Sequence, residues 1–157
     1  MDTDLENLAC EYFLFMSKFE YALKQTDFVK SDKYNNAKPD WDRFIEEISA
    51  KIKINFDDPH IQRMMNKPPK RQIYKDRKLD WNENNGTIKK SHNNVPRQLI
   101  ECCLTIRNNL FHGGKIDDGN QGRNKYLLNA GLKILNAAKD AHLGLKQSFI
   151  SAELDEE

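Results

Sequence analysis

The chain has 157 residues, of which 38% are hydrophobic and 31% are charged, and its formal net charge is +1. That length fits one globular domain, and that composition is typical of a soluble protein with a modest core. A net charge this close to zero excludes a protein whose whole surface attracts nucleic acid. The longest apolar run, residues 12–16, is far shorter than the roughly 20 residues that span a bilayer.

The N-terminus and the cysteines both favour a cytoplasmic protein. The chain begins Met-Asp-Thr-Asp, without the basic and apolar regions of a signal peptide. Three cysteines, two of them adjacent, make no disulfide framework and favour a reducing compartment. The histidines outside residues 107–112 lack the spacing of zinc ligands. We therefore expect no membrane association, no metal site and no cofactor.

The first predicted helix runs from residues 3–6, which have the spacing of a capping box, to about residue 26. One apolar stripe recurs at steps of three and four and consists of Leu5, Ala9, Tyr12, Met16, Phe19 and Leu23. Phe13, Phe15 and Tyr21 lie off that stripe. A helix that is apolar on more than one face packs on more than one side, so this helix is a candidate interface.

Asp40 is the predicted N-cap of a second helix. Its inward positions are Trp41, Phe44 or Ile45, Ile48 and Ile52. Residues 54–92 contain several prolines and an Asn-Asn-Gly turn, and they have no sustained periodicity. Short helical turns are expected within this segment at 61–65 and 73–79.

Two further helices complete the predicted fold. The third begins at 94–96, carries the stripe Leu99, Cys103, Ile106 and Leu110, and stops at Gly113 and Gly114. The last keeps helical spacing to about Phe149 through Leu128, Gly131, Leu135, Ala138, His142 and Leu145. No segment reads as a strand. The prediction is an all-α bundle of four main helices with an irregular, partly helical middle segment, forming one domain over 1–150 with an acidic tail over 151–157.

Residues 67–78 hold six basic side chains and one acidic one, a local net charge of +5. Clustered bases form an electrostatic footprint for nucleic acid, and Lys70, Arg71 and Lys75 are the candidate RNA contacts. A solvated basic loop has the same composition. Both interpretations stay open at this point.

The residues that best indicate chemistry are Arg107, Asn108 and His112 at the end of the third helix. At about 100° per residue, Asn108 and His112 lie about 100° and 140° from Arg107, on the side away from Ile106 and Leu110. The helix dipole at this end favours a protonated imidazole.

These residue types suit RNA cleavage. A general base removes the proton of a ribose 2′-hydroxyl, whose oxygen attacks the adjacent phosphate, and a general acid protonates the departing 5′ oxygen. An arginine clamps the phosphate oxygens and stabilises the added charge. One histidine cannot easily perform both proton transfers, but a two-fold dimer presents two histidines.

The motif at the end of the third helix resembles that of the HEPN superfamily of ribonucleases. It consists of an arginine followed by Asn, with a histidine five residues after the arginine, on the third main helix of a short all-α chain. Residues 107–113 carry this resemblance, and 19–24 and 124–128 are similar to the superfamily's first and last helices. The resemblance implies a metal-independent endoribonuclease whose homodimer has a composite site of Arg107 and His112 from both protomers. It also implies a role as a toxin or a phage-defence effector, with an antitoxin protein as a possible partner.

Alternatives remain for each of these residues. Arg107 and His112 also fit a helix-end pair that binds the helix's own last carbonyl groups, and Asn108 fits a local cap. Glu20 and Lys24, four residues apart, fit either a solvated ion pair or a supporting role near the cleft. The competing functions are a non-catalytic HEPN-like module that binds RNA or nucleotide and a subunit of a larger defence complex.

Overall fold

The structure is a computed structural model that describes residues 3–82, 86–111 and 120–154. These residues form six helices and two antiparallel hairpins. In chain order the elements are α1 (Thr3–Gln25), β1 (Val29–Ser31), β2 (Ala37–Pro39), α2 (Trp41–Ile48), α3 (Pro59–Asn66), β3 (Arg71–Lys75), β4 (Lys78–Asn82), α4 (Val95–Phe111), α5 (Gln121–Asp140) and α6 (Leu143–Leu154).

Helix α1 follows its predicted stripe. All six stripe residues are buried, and Ala22 joins them. Of the three aromatic residues off the stripe, Phe13 and Tyr21 remain exposed. Phe15 instead packs its ring against Phe149 of α6. The surplus apolar character of α1 is therefore only partly used inside this chain.

Two aspartates start the short helices α2 and α3. Asp40 accepts a hydrogen bond from the backbone N–H of Arg43, which confirms the predicted cap. Asp58 does the same for α3, accepting from the N–H groups of His60 and Ile61, and Pro59 stands where a missing N–H costs nothing. The expected helical turn at 61–65 is therefore confirmed as part of α3.

The expectation that no segment forms a strand is wrong in two places. Residues 29–39 form the β1–β2 hairpin, and 71–82 form the β3–β4 hairpin in place of the expected helical turn at 73–79. The second hairpin turns at Asp76 and Arg77, whose φ angles are 52° and 61°. Both residues adopt the left-handed region that a tight two-residue hairpin turn requires. Because Asp-Arg lacks the glycine that usually marks such a turn, the sequence signal was weak.

Helix α5 is the centre of the bundle and packs against α1, α3, α4 and α6. At one crossing Tyr12 donates its hydroxyl proton to the carbonyl oxygen of Cys103 over 2.7 Å. Gly131 lies against the same ring, and a Cβ at that position would stand 2.6 Å from Tyr12 Cε2. A glycine is needed there because the tyrosine ring occupies the space of a side chain.

The last predicted helix is interrupted, which corrects the expectation of one helix to Phe149. Helix α5 ends at Asp140, and α6 begins at Leu143. His142 caps α6, since its Nδ1 accepts from the N–H of Leu145 over 3.1 Å. Periodicity did not reveal the break because His142 and Leu145 keep helical spacing across it.

The described part of the chain is mostly helical, in agreement with the predicted class. Helix α6 continues to Leu154, across the expected boundary at 150 and 151. The expected turn at 84–86 and the stop at Gly113 and Gly114 fall wholly or partly outside the described residues, as does the end of the acidic tail. Among the described residues, no helix is long and apolar enough to cross a membrane.

Candidate functional site

Arg107 lies in the last turn of α4 and is held by two neighbours. Its Nη1 donates to Oε1 of Glu20 on α1, forming an ion pair, and its Nε donates to Oδ1 of Asn108 over 2.9 Å. The side chains of Arg107 and Glu20 are 28% and 19% exposed, so the pair is half-buried. A planar guanidinium with two fixed bonds has little freedom to rotate.

Glu20 joins three helices at this point. Its Oε2 accepts a hydrogen bond from the indole Nε1 of Trp41 over 3.1 Å, while Oε1 accepts from Arg107. The Trp41 ring stacks on Phe19, with ring centroids 5.0 Å apart. The carboxylate is therefore positioned by α2 as well as by its own helix, and it in turn positions the guanidinium.

The ion pair with Glu20 reduces the positive field of Arg107, but one nitrogen of the guanidinium can still donate to a ligand. Nε and Nη1 are engaged, and Nη2 has no hydrogen-bond partner among the residues that the structure describes. A guanidinium offers five donors in a fixed fork, so an oxygen-rich ligand could still approach from the side of Nη2.

An open groove of about 470 Å³ lies along this side of α1 and includes Arg107. Residues at steps of three and four on α1 form one wall. The lining includes Phe13, Ser17, Tyr21, Lys24, Arg107 and Phe111. Phe13, Tyr21 and Phe111 are 47%, 58% and 67% exposed. A charged group beside three exposed aromatic rings distinguishes this surface from a plain solvated helix face.

The structure brings four of the predicted site residues to one place. Arg107 and Asn108 are hydrogen-bonded, Glu20 binds Arg107, and Lys24 lines the same groove. The supporting placement of Glu20 near the cleft is thus favoured over a solvated pair with Lys24. His112, the expected acid–base group, lies outside the described residues.

The basic hairpin does not share this groove. Arg71 lines a different cavity of about 420 Å³ with Gln98, Cys102 and Thr105 of α4. Arg107 is about 200° around the helix from Thr105, so the two surfaces face in nearly opposite directions. Lys75 lies on the exposed strand β3.

Asn109 anchors the hairpin segment to α4. Its side chain is buried, and Nδ2 donates to the backbone carbonyl oxygen of Lys70 over 2.9 Å. The second Asn after the arginine is therefore a structural residue, since it satisfies a buried backbone acceptor. In Lys70 the atom that makes this contact is the backbone carbonyl oxygen, not the ammonium group.

The adjacent cysteines and Tyr12 belong to the core and not to the groove. Burial raises the pKa of the Cys102 thiol to about 12 and also raises that of Cys103 well above its usual range. Burial, followed by the neighbouring Cys103, likewise raises the pKa of Tyr12. Groups that stay protonated at neutral pH are poor nucleophiles, so neither Cys102 nor Cys103 is a candidate nucleophile.

Sequence reasoning missed three groups of this site. Ser17 and Phe111 line the groove, and Trp41 holds Glu20. Ser17 could have been found, because it lies three residues before Glu20 and therefore on the same face of α1. Trp41 was assigned to the core, and nothing in the sequence indicates that its indole nitrogen faces a carboxylate 21 residues away.

Within the described ranges, no three His, Cys, Asp or Glu side chains come together as a metal-ion site. No protein-family model matches the chain, and neither a curated protein nor a solved structure matches it significantly.

Proposed function

We propose that this protein is a metal-independent endoribonuclease with a HEPN-like bundle, whose catalytic groups are Arg107, His112 and Asn108. The observation that carries the proposal is the half-buried guanidinium of Arg107, fixed by Glu20 and Asn108 beside an open groove. A guanidinium held in this way is already oriented when an oxygen-rich ligand approaches. In the sequence His112 comes directly after Phe111, at which α4 ends.

In the proposed reaction, Arg107 binds the scissile phosphate through Nη2 and stabilises the charge that develops on its oxygens. The 2′-hydroxyl oxygen forms a bond to phosphorus as its proton passes to a general base. The bond from phosphorus to the 5′ oxygen breaks, and that oxygen receives a proton from a general acid. The two proton transfers are assigned to His112 of one protomer and the same residue of a second copy.

The groove suits a composite site of this kind. Phe13, Tyr21 and Phe111 lie around Arg107 with their rings half-exposed or more. Aromatic residues at the centre of an interface supply most of its binding energy. A homodimer that uses this face of α1 would bring two arginines together in one cleft for RNA. The proposed cellular role is that of a toxin or phage-defence effector, with an antitoxin protein as partner.

The exposed aromatic rings beside Arg107 favour a second candidate function. Bases stack on aromatic side chains and a guanidinium binds phosphate, and neither contact needs an acid–base group. The same groove in a non-catalytic module would bind RNA or nucleotide, alone or as a subunit of a larger defence complex. Cleavage assays distinguish the two functions directly.

The decisive experiment is incubation of the purified protein with total RNA in EDTA. Cleavage should proceed without added metal, because the proposed mechanism uses Arg and His charges. Products should end in 2′,3′-cyclic phosphate and 5′-hydroxyl groups. An oligonucleotide with 2′-deoxyribose at the scissile position should resist cleavage, since its nucleophile is missing. Strict dependence on a divalent metal or equal cleavage of the deoxy substrate would disprove the mechanism.

Two variants assign the activity to the site. His112→Ala and Arg107→Ala should each reduce the cleavage rate by about 10²–10⁴, the usual loss for an acid–base group or a charge clamp. The matched control is Arg97→Ala, which removes an arginine of the same helix that is paired with Asp42 over 2.9 Å. Arg97→Ala should keep full activity. Binding of RNA without any cleavage by wild type would favour the second candidate function.

A further inference from the structure

A second open groove, also about 470 Å³, lies where the end of α3 meets the first turn of α5. Three of its lining side chains are basic, namely Arg63, Lys67 and Arg123. It shares no lining residue with the groove that contains Arg107. We call this second groove the α3–α5 groove.

One tyrosine holds the two arginines of the α3–α5 groove. The guanidinium carbon of Arg63 lies over the ring of Tyr126, 4.2 Å from its centroid. Nη1 of Arg123 donates to the hydroxyl oxygen of the same tyrosine over 2.6 Å, and Nη2 donates to the carbonyl oxygen of Pro68 over 3.0 Å. The ring of Tyr126 is itself buried, so both cationic groups are attached to a rigid support.

No carboxylate compensates these charges within residues 3–82, 86–111 and 120–154. The described ion pairs of Arg43, Arg97 and Arg107 each include an aspartate or a glutamate, whereas none is formed by Arg63, Lys67 or Arg123. Like charges held close together repel, and they do so more strongly when the groups cannot move apart. An anion in the groove would relieve this repulsion.

The position of Arg123 adds to the repulsion. It lies in the first turn of α5, where the helix dipole is positive and where no acidic residue is present. Arg63 and Lys67, by contrast, lie at the end of α3, where the dipole favours cations. The dipole therefore accounts for two of the three basic residues, and Arg123 is the one that it does not explain.

We propose that the α3–α5 groove binds a phosphate group, with Arg63, Lys67 and Arg123 as its ligands. Guanidinium groups match the geometry of phosphate oxygens, and the ammonium of Lys67 adds a mobile point charge. That the phosphate belongs to a nucleotide, either within an RNA strand or free, rests on the proposed function. Tyr126 positions the two guanidinium groups and does not stack on a base, because its ring is buried and covered by Arg63.

The test uses three probes that the protein cannot cleave, which are inorganic phosphate, adenosine 5′-monophosphate and a 2′-O-methyl RNA oligonucleotide. Its result is thus independent of the proposed nuclease activity. Binding is followed by the backbone amide NMR signal of Gly122, which lines the groove. The double variant Arg63→Gln/Lys67→Gln removes two ligands. Lys51→Gln, at an exposed position outside the groove, is the control that changes charge alone.

The Gly122 amide should shift saturably with phosphate in wild type and in Lys51→Gln, and the shift should disappear in the double variant. Absence of a saturable shift, or an equal shift in the double variant, would overturn the proposal. A double variant that loses its fold is replaced by Lys67→Glu, whose exposed position makes it safe for folding and which should weaken phosphate binding at least tenfold.

The salt dependence of oligonucleotide binding identifies the source of the phosphate. For single strands the slope of log K against log salt is negative, and its magnitude falls by about 0.7 for each lost phosphate contact. A slope of smaller magnitude in the double variant identifies an RNA strand as the ligand. An unchanged slope, together with lost binding of adenosine 5′-monophosphate, identifies a free nucleotide.

Discussion

Two polar contacts between helices α1 and α4 are built differently. Tyr12 and Cys103 meet in the core, where the tyrosine is fully buried and its hydroxyl is bound to a backbone carbonyl. Glu20 and Arg107, two turns further along α1, meet at the edge of a groove and stay partly exposed. One contact is closed to solvent and ligand, and the other remains open.

The difference indicates separate roles along one pair of helices. A buried contact that satisfies every polar group fixes how the helices pack. A half-buried ion pair adds little net stability, since the cost of desolvating both charges offsets much of their attraction. Evidence of function should therefore come from the open contact, and evidence of stability from the closed one. The following variants separate the two.

Gly131→Ala should cause the largest loss of stability. The new Cβ would stand 2.6 Å from Cε2 and 2.9 Å from the hydroxyl oxygen of Tyr12, whose ring is fully buried and bound to Cys103. Overpacking of this kind costs about 1–3 kcal/mol, which exceeds the gain that alanine normally brings to a helix. Thermal unfolding followed by circular dichroism should show a lower Tm.

Gly122→Ala is the matched control for this variant. It makes the same change in the same helix, but nothing lies within 4 Å of the new Cβ. Alanine should raise the free energy of unfolding there by up to about 1 kcal/mol, the usual difference between the two residues in helices. An equal loss of stability in both variants would refute the close approach of Tyr12 to α5.

Glu20→Gln changes the open contact and should lower the activity rather than the stability. Glutamine keeps an oxygen for Trp41 but loses the charge that orients Arg107. A change of about 1.4 kcal/mol in transition-state stabilisation is tenfold in rate, and a charge-assisted hydrogen bond is worth at least that much. Cleavage should therefore slow by about tenfold or more, with the fall in kcat rather than a rise in KM.

The control for Glu20→Gln is Glu11→Gln, an exposed change on the same helix and outside the groove. It should leave cleavage and Tm unchanged. If Glu20→Gln lowered the Tm by several degrees and left cleavage intact, the ion pair would have a structural role like that of the Tyr12 hydrogen bond.

Periodicity was sufficient to predict the elements that pack through one continuous stripe. Helix α1 and six of its seven buried positions follow from spacing alone, because a helix with one apolar face has one way to bury it. The hairpins were not predictable in this way. Strand β3 is exposed or half-buried along its whole length, so it carries no alternation, and its turn uses Asp76 and Arg77 in place of glycine.

The candidate site was predictable in its chemistry but not in its connections. Arg107 and Asn108 follow from the motif at the end of α4. The pairing of Arg107 with Glu20 spans 87 residues, and it depends on how two helices are aligned. No local sequence pattern predicts the α3–α5 groove either, since its three basic residues come from two elements that are far apart in the sequence. Local spacing determines which side chains share a helix face, whereas tertiary packing determines which faces meet.

The smallest effect is expected at the link between α3 and α5. Asp58 caps α3 and accepts a hydrogen bond from Nζ of Lys133 on α5 over 2.6 Å. Partial burial alone would raise the pKa of this carboxyl group, but the bonds from Lys133 and from two backbone amides outweigh it, so that the pKa is lowered. This contact, like that of Glu20, pairs a carboxylate with a cation, but it lies outside the groove of Arg107.

A lowered pKa in the folded state adds stability above the unfolded pKa of about 3.9, and that stability is lost as the pH falls through the folded value. Asp58→Asn keeps a good helix cap but removes the charge. It should therefore lower the free energy of unfolding by up to about 1 kcal/mol at pH 7. The difference from wild type should shrink at an acid pH below the lowered pKa, where Asp58 is protonated in both states. Urea unfolding at the two pH values measures this, with the neighbouring exposed Asp57→Asn as control. A difference that persists in acid would mean that packing, and not the charge, makes Asp58 stabilising.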